Sequence, residues 1–331
     1  MTDAAATHAP KPRVVVTRTL PGATLAPLAN VADLWVWPHD RPMPAQELLA
    51  VVPGASALVT TINDRIDEDV AVAAGPGLRV VANTAAGYDN LDVAALTGHD
   101  VIVTHTPGVL VDATADLAFA LLLAATRRIV EADRLVRSGQ AWQWDLEFML
   151  GSGLQGKQLG IVGMGAIGRA VAQRAVAFGM QVVHSDRMAP AVVDGAGGVL
   201  SRAVTFDELI GSSDVISLHC PLTPETRHLI DEAALRRMRP GACLVNTARG
   251  PIVDEAALVV ALREGWIGSA GLDVYEDEPA LHPGLRELEN AVLAPHLGSA
   301  TVETRTRMAE LAVANVVAVL AGEPAPTPVR R

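Results

Sequence analysis

The stretch Gly163-Met164-Gly165-Ala166-Ile167-Gly168 comes directly after the apolar run LGIV at residues 159–162 and opens a helical stretch at residues 169–178. In such a strand–turn–helix unit, the first glycine permits the tight turn and the second lets the backbone approach a pyrophosphate. The third lets the helix pack on the strand. An acidic residue, Asp186, ends the next apolar run. Together these features predict a dinucleotide-binding Rossmann unit.

The residues at that strand end bear on the choice of dinucleotide. Asp186 would accept hydrogen bonds from the adenosine ribose hydroxyls and repel a 2′-phosphate, which favours NAD. Arg187 follows it, and arginine is the residue type that accommodates a 2′-phosphate, although a loop arginine is also commonly a solvated surface cation. We therefore expect NAD, and NADP stays open.

Short apolar runs alternate with helical stretches on both sides of this unit. The expected strands are residues 14–16, 57–59, 80–81 and 101–103 in a first sheet and 159–162, 181–185, 215–218, 242–246, 269–272 and 291–293 in a second. The runs are continuous rather than alternating, which indicates strands buried on both faces, as in a parallel sheet covered by helices. The predicted fold class is α/β, with two doubly wound parallel-sheet domains.

Helices and tails complete the predicted organisation. A long helix is expected to begin at Asp112 or Thr114 and to run toward Val136, as a bridge between the domains. A last helix is expected over residues 301–320, after the final strand. The first twelve residues and the proline-rich residues 324–328 are expected to be tails.

Composition excludes several classes of function. Half of the 331 residues are hydrophobic and the formal net charge is −11, which argues against nucleic-acid or anionic-membrane binding, because both need clustered Lys and Arg. The longest apolar run, residues 117–125, is far shorter than the roughly 20 residues that cross a bilayer. Cys220 and Cys243 form neither a C-x-x-C pair nor a disulfide framework. We expect a cytoplasmic protein with no metal site.

Six motifs, in order along the chain, resemble those of the D-isomer-specific 2-hydroxyacid dehydrogenases. They are TAAGYDNLD at 84–92, GKQLGIVGMGAIG at 156–168, HCPLT at 219–223, NTARGPIVD at 246–254, GLDVYEDEP at 271–279 and APHLGSAT at 294–301. The resemblance implies a disordered tail at 1–12, a flavodoxin-like substrate domain at 13–107 and 297–331, and a Rossmann NAD(P)-binding domain at 108–296. Within the family, the sequence is most similar to glyoxylate and hydroxypyruvate reductases.

The resemblance implies reduction of a small 2-keto acid by hydride transfer, with three catalytic residues. The planar guanidinium of Arg249 can bind the substrate carboxylate through two hydrogen bonds and also contact the carbonyl oxygen, which lysine cannot do. His296 would be the general acid/base, a role suited to a group that titrates near neutral pH. Glu278 would bind the other ring nitrogen and fix the tautomer.

Further residues carry over from the family's motifs. Ala86 and Gly87 resemble the backbone amides that hold the substrate carboxylate, together with Arg249 and His296. Thr114 resembles a cofactor phosphate contact, although as an N-cap it would need no other purpose. The expected cofactor-binding residues are Thr114, Gly163, Gly165, Ala166, Ile167, Gly168, Asp186, Arg187, His219, Cys220, Pro221, Thr226, Thr247, Ala248, Arg249, Asp273, His296 and Gly298.

Alternatives remain at this point. Phosphoglycerate dehydrogenases, which include short versions, are the nearest alternative enzymes, and D-lactate dehydrogenases come next. Corepressors of the same fold keep the dinucleotide site and act as binding proteins. The family is usually dimeric, and Trp142 and Trp144 occupy a segment that in relatives packs near a neighbouring subunit, so a homodimer is expected on resemblance alone.

Overall fold

The computed structural model of the chain describes residues 10–195 and 198–330. Within them the chain forms two compact units. Unit 1 comprises the described residues up to Leu110 and those from Ala300 onward, and unit 2 is Val111–Ser299. Most of the tail expected at residues 1–12 lies outside the described residues.

Unit 1 is a five-stranded parallel sheet in the order β2-β1-β3-β4-β5. Its strands are β1 (Arg13–Val16), β2 (Asp33–Val36), β3 (Ala57–Thr60), β4 (Val80–Asn83) and β5 (Ile102–Thr104), and its helices are α1 (Ala26–Val31), α2 (Ala45–Val51), α3 (Glu68–Ala74), α4 (Val93–Gly98) and α11 (Val302–Leu320). Side chains alternate across the sheet, so Leu58 and Val81 face one core and Val59 and Val80 face the other. Strand β2 was not predicted, because this edge strand is only half-buried and its apolar run is short.

Unit 2 is an eight-stranded sheet in the order β13-β12-β11-β10-β6-β7-β9-β8. Its strands are β6 (Gln158–Val162), β7 (Gln181–Ser185), β8 (Val192–Gly195), β9 (Gly198–Ala203), β10 (Val215–Leu218), β11 (Cys243–Asn246), β12 (Ser269–Leu272) and β13 (Ala291–Leu293). Its helices are α5 (Val111–Thr126), α6 (Ile129–Arg137), α7 (Ala166–Ala177), α8 (Phe206–Ser212), α9 (Glu232–Arg237) and α10 (Glu255–Arg263). The predicted α/β class with two doubly wound sheets is confirmed. Two strands were not predicted, β8 and β9, which pair antiparallel with each other, and β8 forms the edge of the sheet.

The long helix predicted toward Val136 is two helices. Helix α5 ends at Thr126, and Arg128 takes a left-handed backbone conformation (φ +55°) before α6 begins. The guanidinium of Arg128 donates to both carboxylate oxygens of Glu131 at 2.8 and 2.6 Å. The Thr126 carbonyl accepts from the Ser152 amide instead of a helical one. Helix α5 begins at Val111, so Thr114 lies inside the helix and is not its N-cap.

The proline-rich C-terminal segment is not a tail. Thr104 and Pro328 form an antiparallel bridge, and the Val329 amide donates to the Val103 carbonyl at 2.8 Å. Strand β5 is the edge of its sheet, and its unpaired backbone groups are satisfied by this segment. Among the described helices, none is long and apolar enough to cross a membrane.

Candidate active site

The three residues expected to be catalytic lie at one edge of the unit 2 sheet. Arg249 follows β11, Glu278 follows β12 and His296 follows β13. These strands are neighbours and parallel, so their carboxyl ends meet at the same edge. This is the edge at which doubly wound sheets bind ligands.

Glu278 and His296 form a hydrogen-bonded pair. The ring Nδ1–H of His296 donates to Oε2 of Glu278 at 2.7 Å, while Oε1 accepts from the Tyr275 amide at 3.0 Å. Burial alone would raise the pKa of Glu278, but the hydrogen bond and charge of His296, the Tyr275 amide and the charge of Arg249 outweigh it and lower that pKa. Glu278 is therefore a stable carboxylate, and Nε2 is the ring nitrogen that can exchange a proton with a ligand.

The loop that carries His296 is fixed by Asp273. The His296 amide donates to the Asp273 carbonyl at 2.8 Å, and the two carboxylate oxygens accept from the Leu297 and Gly298 amides at 2.6 and 2.8 Å. Asp273 is 1% exposed, and burial raises its pKa against the lowering by these amides and by His296. The backbone of His296 is left-handed (φ +55°), a conformation that persists only where its surroundings hold it.

The turn that carries Arg249 is held in a similar way. Asn246, at the end of β11, accepts from the Ala248 amide at 3.0 Å and donates to the Arg249 carbonyl at 2.9 Å. The guanidinium of Arg249 donates from Nη1 to the Ala248 carbonyl at 2.7 Å. A side chain at Gly250 would collide with the Tyr275 carbonyl, so glycine lets this turn approach the one that leads to Glu278.

Glu255 was not singled out from the sequence and holds the loop that contains Glu278. Its Oε1 accepts from the Glu276 amide at 2.6 Å and its Oε2 from the His282 amide at 2.7 Å, and the residue is 5% exposed. Acidic residues are common in the first turn of a helix, so the sequence gives no signal for this clamp. Asn246, by contrast, opens the NTARG motif, so the sequence does give a signal for that residue.

The three glycines of the turn after β6 differ in what a side chain at each position would meet. Gly163 has φ +94°, and a Cβ there would lie 2.5 Å from the Cys220 amide nitrogen. A Cβ at Gly168 would collide with the Gly163 carbonyl. A Cβ at Gly165 meets nothing within 4 Å. This open space at the N-terminus of α7, where Ala166 and Ile167 form the first turn, fits a dinucleotide phosphate.

Asp186 is engaged by the backbone around it. Its Oδ2 accepts from the Met164 amide at 2.7 Å, and its Oδ1 accepts from the Met188 and Ala189 amides at 2.7 and 2.9 Å. Burial would raise the pKa of Asp186, but these three amides lower it. The side chain therefore stays ionised and ties the glycine turn to the loop after β7, in which Arg187 is exposed.

The segment after β10 also faces the glycine turn. His219 pairs through Nε2 with the Ser217 hydroxyl at 2.8 Å, and burial lowers its pKa to about 4. Burial raises the pKa of Cys220 to about 11, so this thiol is no nucleophile at neutral pH. The Thr226 hydroxyl donates to the Pro221 carbonyl at 2.7 Å and stabilises the loop.

Two threonines expected near the cofactor differ in their partners. The Thr114 hydroxyl donates to the Gly298 carbonyl at 3.1 Å and so links α5 to the loop after β13. The Thr247 hydroxyl is buried and has no hydrogen-bond partner among the described residues. A buried hydroxyl without a partner next to Arg249 can bond a ligand.

Ala86 and Gly87 belong to unit 1, where they form a turn just after β4 at the carboxyl edge of its sheet.

A cavity of about 460 Å³ lies elsewhere, at the amino ends of β10 to β13 in unit 2. Lys157, Asp214 and Cys243 line it, and it contains none of the expected catalytic residues. Among the described residues, no cluster of three or more His, Cys, Asp or Glu side chains could hold a metal ion.

Comparison with known proteins identifies the family. Residues 119–298 match the family model of the D-isomer specific 2-hydroxyacid dehydrogenase NAD binding domain. The chain is 47% identical over 326 residues to the glyoxylate reductase of Thermococcus litoralis, covering 97% of each protein. A solved structure from Thermus thermophilus is 48% identical with a TM-score of 0.89, and the alignment covers 96% of this chain and 100% of that one.

An NADPH-dependent glyoxylate/hydroxypyruvate reductase from Sinorhizobium meliloti is 30% identical, with a TM-score of 0.81, over 96% of this chain and 98% of that one. A Rossmann sheet with this glycine turn and family match defines an NAD(P)-dependent oxidoreductase. The chain belongs to the D-isomer specific 2-hydroxyacid dehydrogenase family.

The two later glycines of the turn should differ in their response to alanine. Gly165→Ala has room for its methyl group in the free protein, so we expect an unchanged Tm but a Kd for NADH raised about 10- to 100-fold, because the methyl occupies the phosphate space. Gly168→Ala should instead lower stability by about 1–3 kcal/mol, because its methyl meets backbone. Thermal unfolding and NADH fluorescence titration measure both effects. Unchanged NADH affinity in Gly165→Ala would contradict this placement of the phosphate.

Proposed function

We propose that the enzyme reduces glyoxylate or hydroxypyruvate to the 2-hydroxy acid, with NADH as the expected cofactor and NADPH as the alternative. The observation that carries this proposal is the 2.7 Å hydrogen bond between Glu278 and His296 at the sheet edge that also bears Arg249. The names of the relatives from Thermococcus litoralis and Sinorhizobium meliloti support the substrate class.

Each catalytic residue meets one need of keto acid reduction. A bound reduced nicotinamide supplies the hydride that reaches the carbonyl carbon. Arg249 binds the substrate carboxylate with its planar fork and stabilises the charge that grows on the carbonyl oxygen. His296 donates the Nε2 proton to that oxygen, and Glu278 orients the ring and stabilises its protonated form.

The remaining contacts are proposed from the matching motifs. Ala86 and Gly87 bind the substrate carboxylate through backbone amides, since peptide N–H groups at a turn can hold an anion without a side chain. The glycine turn and the N-terminus of α7 hold the pyrophosphate. The ionised carboxylate of Asp186 disfavours a 2′-phosphate.

A substrate panel tests the proposal directly. Oxidation of NADH and NADPH is followed with glyoxylate, hydroxypyruvate, pyruvate and 3-phosphohydroxypyruvate, and we expect the highest kcat/KM with one of the first two and NADH. Preference for 3-phosphohydroxypyruvate or pyruvate would reassign the enzyme to phosphoglycerate or D-lactate dehydrogenase. Tight NADH binding without turnover of any of the four would indicate a dinucleotide-sensing binding protein instead.

The Glu278–His296 pair should set the pH dependence of reduction. Glu278 has a lowered pKa, so its charge is present above that value and favours the protonated imidazole on which reduction depends. Glu278→Gln removes this charge. We expect the alkaline limb of the kcat/KM profile to move to lower pH, with a loss of about 10²-fold at neutral pH. Asp277→Asn removes the same charge from the adjacent exposed residue and should leave the profile in place. A shift in both variants would assign the effect to general electrostatics.

We also propose that the enzyme is a homodimer. None of the residues of α6 is buried, although Ile129, Val130 and Val136 are apolar. The segment that follows exposes Trp144 and Leu146 at 72% and 82%. So many neighbouring exposed apolar side chains are typical of a protein interface.

The oligomeric state can be measured with a matched control. We expect light scattering after size exclusion to give about twice the chain mass of 34.6 kDa for the wild type. Leu146→Glu should shift the mass toward the monomer, because a charge at an apolar interface is desolvated without a partner. Val72→Glu places the same charge on an exposed valine of unit 1 and should leave the mass unchanged. A monomeric wild type would contradict the dimer.

A cytoplasmic location is proposed on cysteine usage. Both cysteines, Cys220 and Cys243, are free thiols. Unpaired thiols suit a reducing compartment, where disulfides are rare.

A further inference from the structure

The C-terminal segment, residues 323–329, is fixed to unit 1 through Thr327. The Thr327 hydroxyl donates to the His105 carbonyl at 2.6 Å, and the Thr327 carbonyl accepts from the His105 amide at 3.2 Å. Asn315 of α11, which is fully buried, donates to the Thr327 hydroxyl at 2.8 Å and accepts from the Thr327 amide at 2.9 Å. Every polar group of Thr327 is therefore used, and two of them hold the backbone of His105.

His105 in turn holds the turn that contains Ala86 and Gly87. Its ring nitrogen Nδ1 lies 2.7 Å from the Ala86 carbonyl, and because a carbonyl only accepts, Nδ1 carries the proton. The ring also packs edge-on against Tyr88, with 5.3 Å between the ring centroids. The side chain is thus placed by contacts on two sides, and its hydrogen bond points at one peptide group of the turn.

The neighbouring peptide groups are held in the same way. The Ala85 carbonyl accepts from the Thr106 amide at 2.8 Å. The Gly87 carbonyl accepts from Nδ2 of Asn83 at 3.1 Å, and Asn83 is fully buried. Three successive carbonyls, from Ala85 to Gly87, therefore each have one partner, contributed by β4, by the turn after β5 or by the side chain of His105.

This arrangement fixes the direction of three amides. In a planar trans peptide the N–H points opposite to the carbonyl of the preceding residue, so anchoring the three carbonyls aims the N–H groups of Ala86, Gly87 and Tyr88 away from their anchors. Among the described residues none of these three amides donates a hydrogen bond. They form a preorganised row of donors, which can bind an anion without reordering the backbone.

We propose that His105 is a positioning residue for the substrate carboxylate, and that the C-terminal segment holds it in place through Thr327. This inference rests on the proposed function, because it takes the bound carboxylate to be that of a 2-keto acid substrate. His105 does not touch the substrate and acts by holding the Ala86 peptide.

Paired variants of the full-length enzyme test His105. His105→Leu removes the donor, whereas Nδ2 of His105→Asn takes the position of Nδ1 and can still donate to the Ala86 carbonyl. We expect His105→Leu to raise the KM for glyoxylate about five- to tenfold, which is the effect of losing one buried hydrogen bond, with the KM for NADH unchanged. His105→Asn should restore most of the glyoxylate KM.

Thr327 tests the more distant link. Thr327→Val keeps the shape and removes the hydroxyl, so we expect the glyoxylate KM to rise in the same direction as in His105→Leu. Thr327→Ser keeps the hydroxyl and should resemble the wild type. Thermal unfolding of all four variants separates this effect from stability, because a purely structural role would lower Tm in a variant without a selective change in KM.

Affinity for oxamate, an unreactive planar carboxylate, is measured by calorimetry on the NADH-bound enzyme and does not depend on turnover. A wild type that binds oxamate but turns over neither glyoxylate nor hydroxypyruvate would overturn the proposed function alone. The same loss of oxamate affinity in His105→Leu and Thr327→Val, with recovery in His105→Asn and Thr327→Ser, would then still support the positioning role. Unchanged glyoxylate KM and oxamate affinity in folded His105→Leu, or no oxamate binding in the wild type, would overturn it.

Discussion

One buried carboxylate, that of Asp273, holds the backbone that carries the imidazole of His296. The two carboxylate oxygens accept from the Leu297 and Gly298 amides, and the backbone carbonyl of Asp273 accepts from the amide of His296. These bonds compensate the burial of a residue that is 1% exposed, and they hold a left-handed backbone that would otherwise relax. The Glu278 hydrogen bond can then fix the ring rotation, because the backbone beneath it is already fixed. Loss of the Asp273 carboxylate would therefore release the backbone of residues 296–298.

In the function proposed above, the two units bind anions by different means within a chain of net charge −11. Unit 1 offers amides of a turn whose carbonyls are all anchored, and these donors carry no formal charge. Unit 2 offers the helix N-terminus after the glycine turn and the guanidinium of Arg249, whose turn is held by Asn246. Attraction is therefore local and short-range, and the overall field of the protein does not collect anions. Preorganisation of the backbone replaces long-range attraction.

The parts of the fold that could be predicted from sequence are those with a strong local signal. Continuous apolar runs located the central strands, and the glycine turn predicted the NAD-binding domain. The half-buried β2 and the hairpin β8–β9 lack such runs, and the break at Arg128 depends on tertiary hydrogen bonds. The hydrogen bonds that link the side chains of Glu255 and His105 to backbone groups could not be predicted, because those backbone groups are distant in sequence. The C-terminal segment is rich in proline, which is typical of a tail, yet it pairs with the open edge of β5.

Asp186 shows how one side chain can serve both the fold and the selection of a cofactor. Three amides already occupy its carboxylate, so a ribose hydroxyl must share an oxygen with a backbone donor. In the proposed cofactor site, Asp186 would contribute its negative charge, because the same amides lower its pKa and keep the carboxylate ionised. A charge repels a 2′-phosphate without direct contact, whereas a hydrogen bond to ribose needs a free lone pair. The exposed Arg187 beside it would offset part of that repulsion, so we expect a graded rather than absolute preference for NAD.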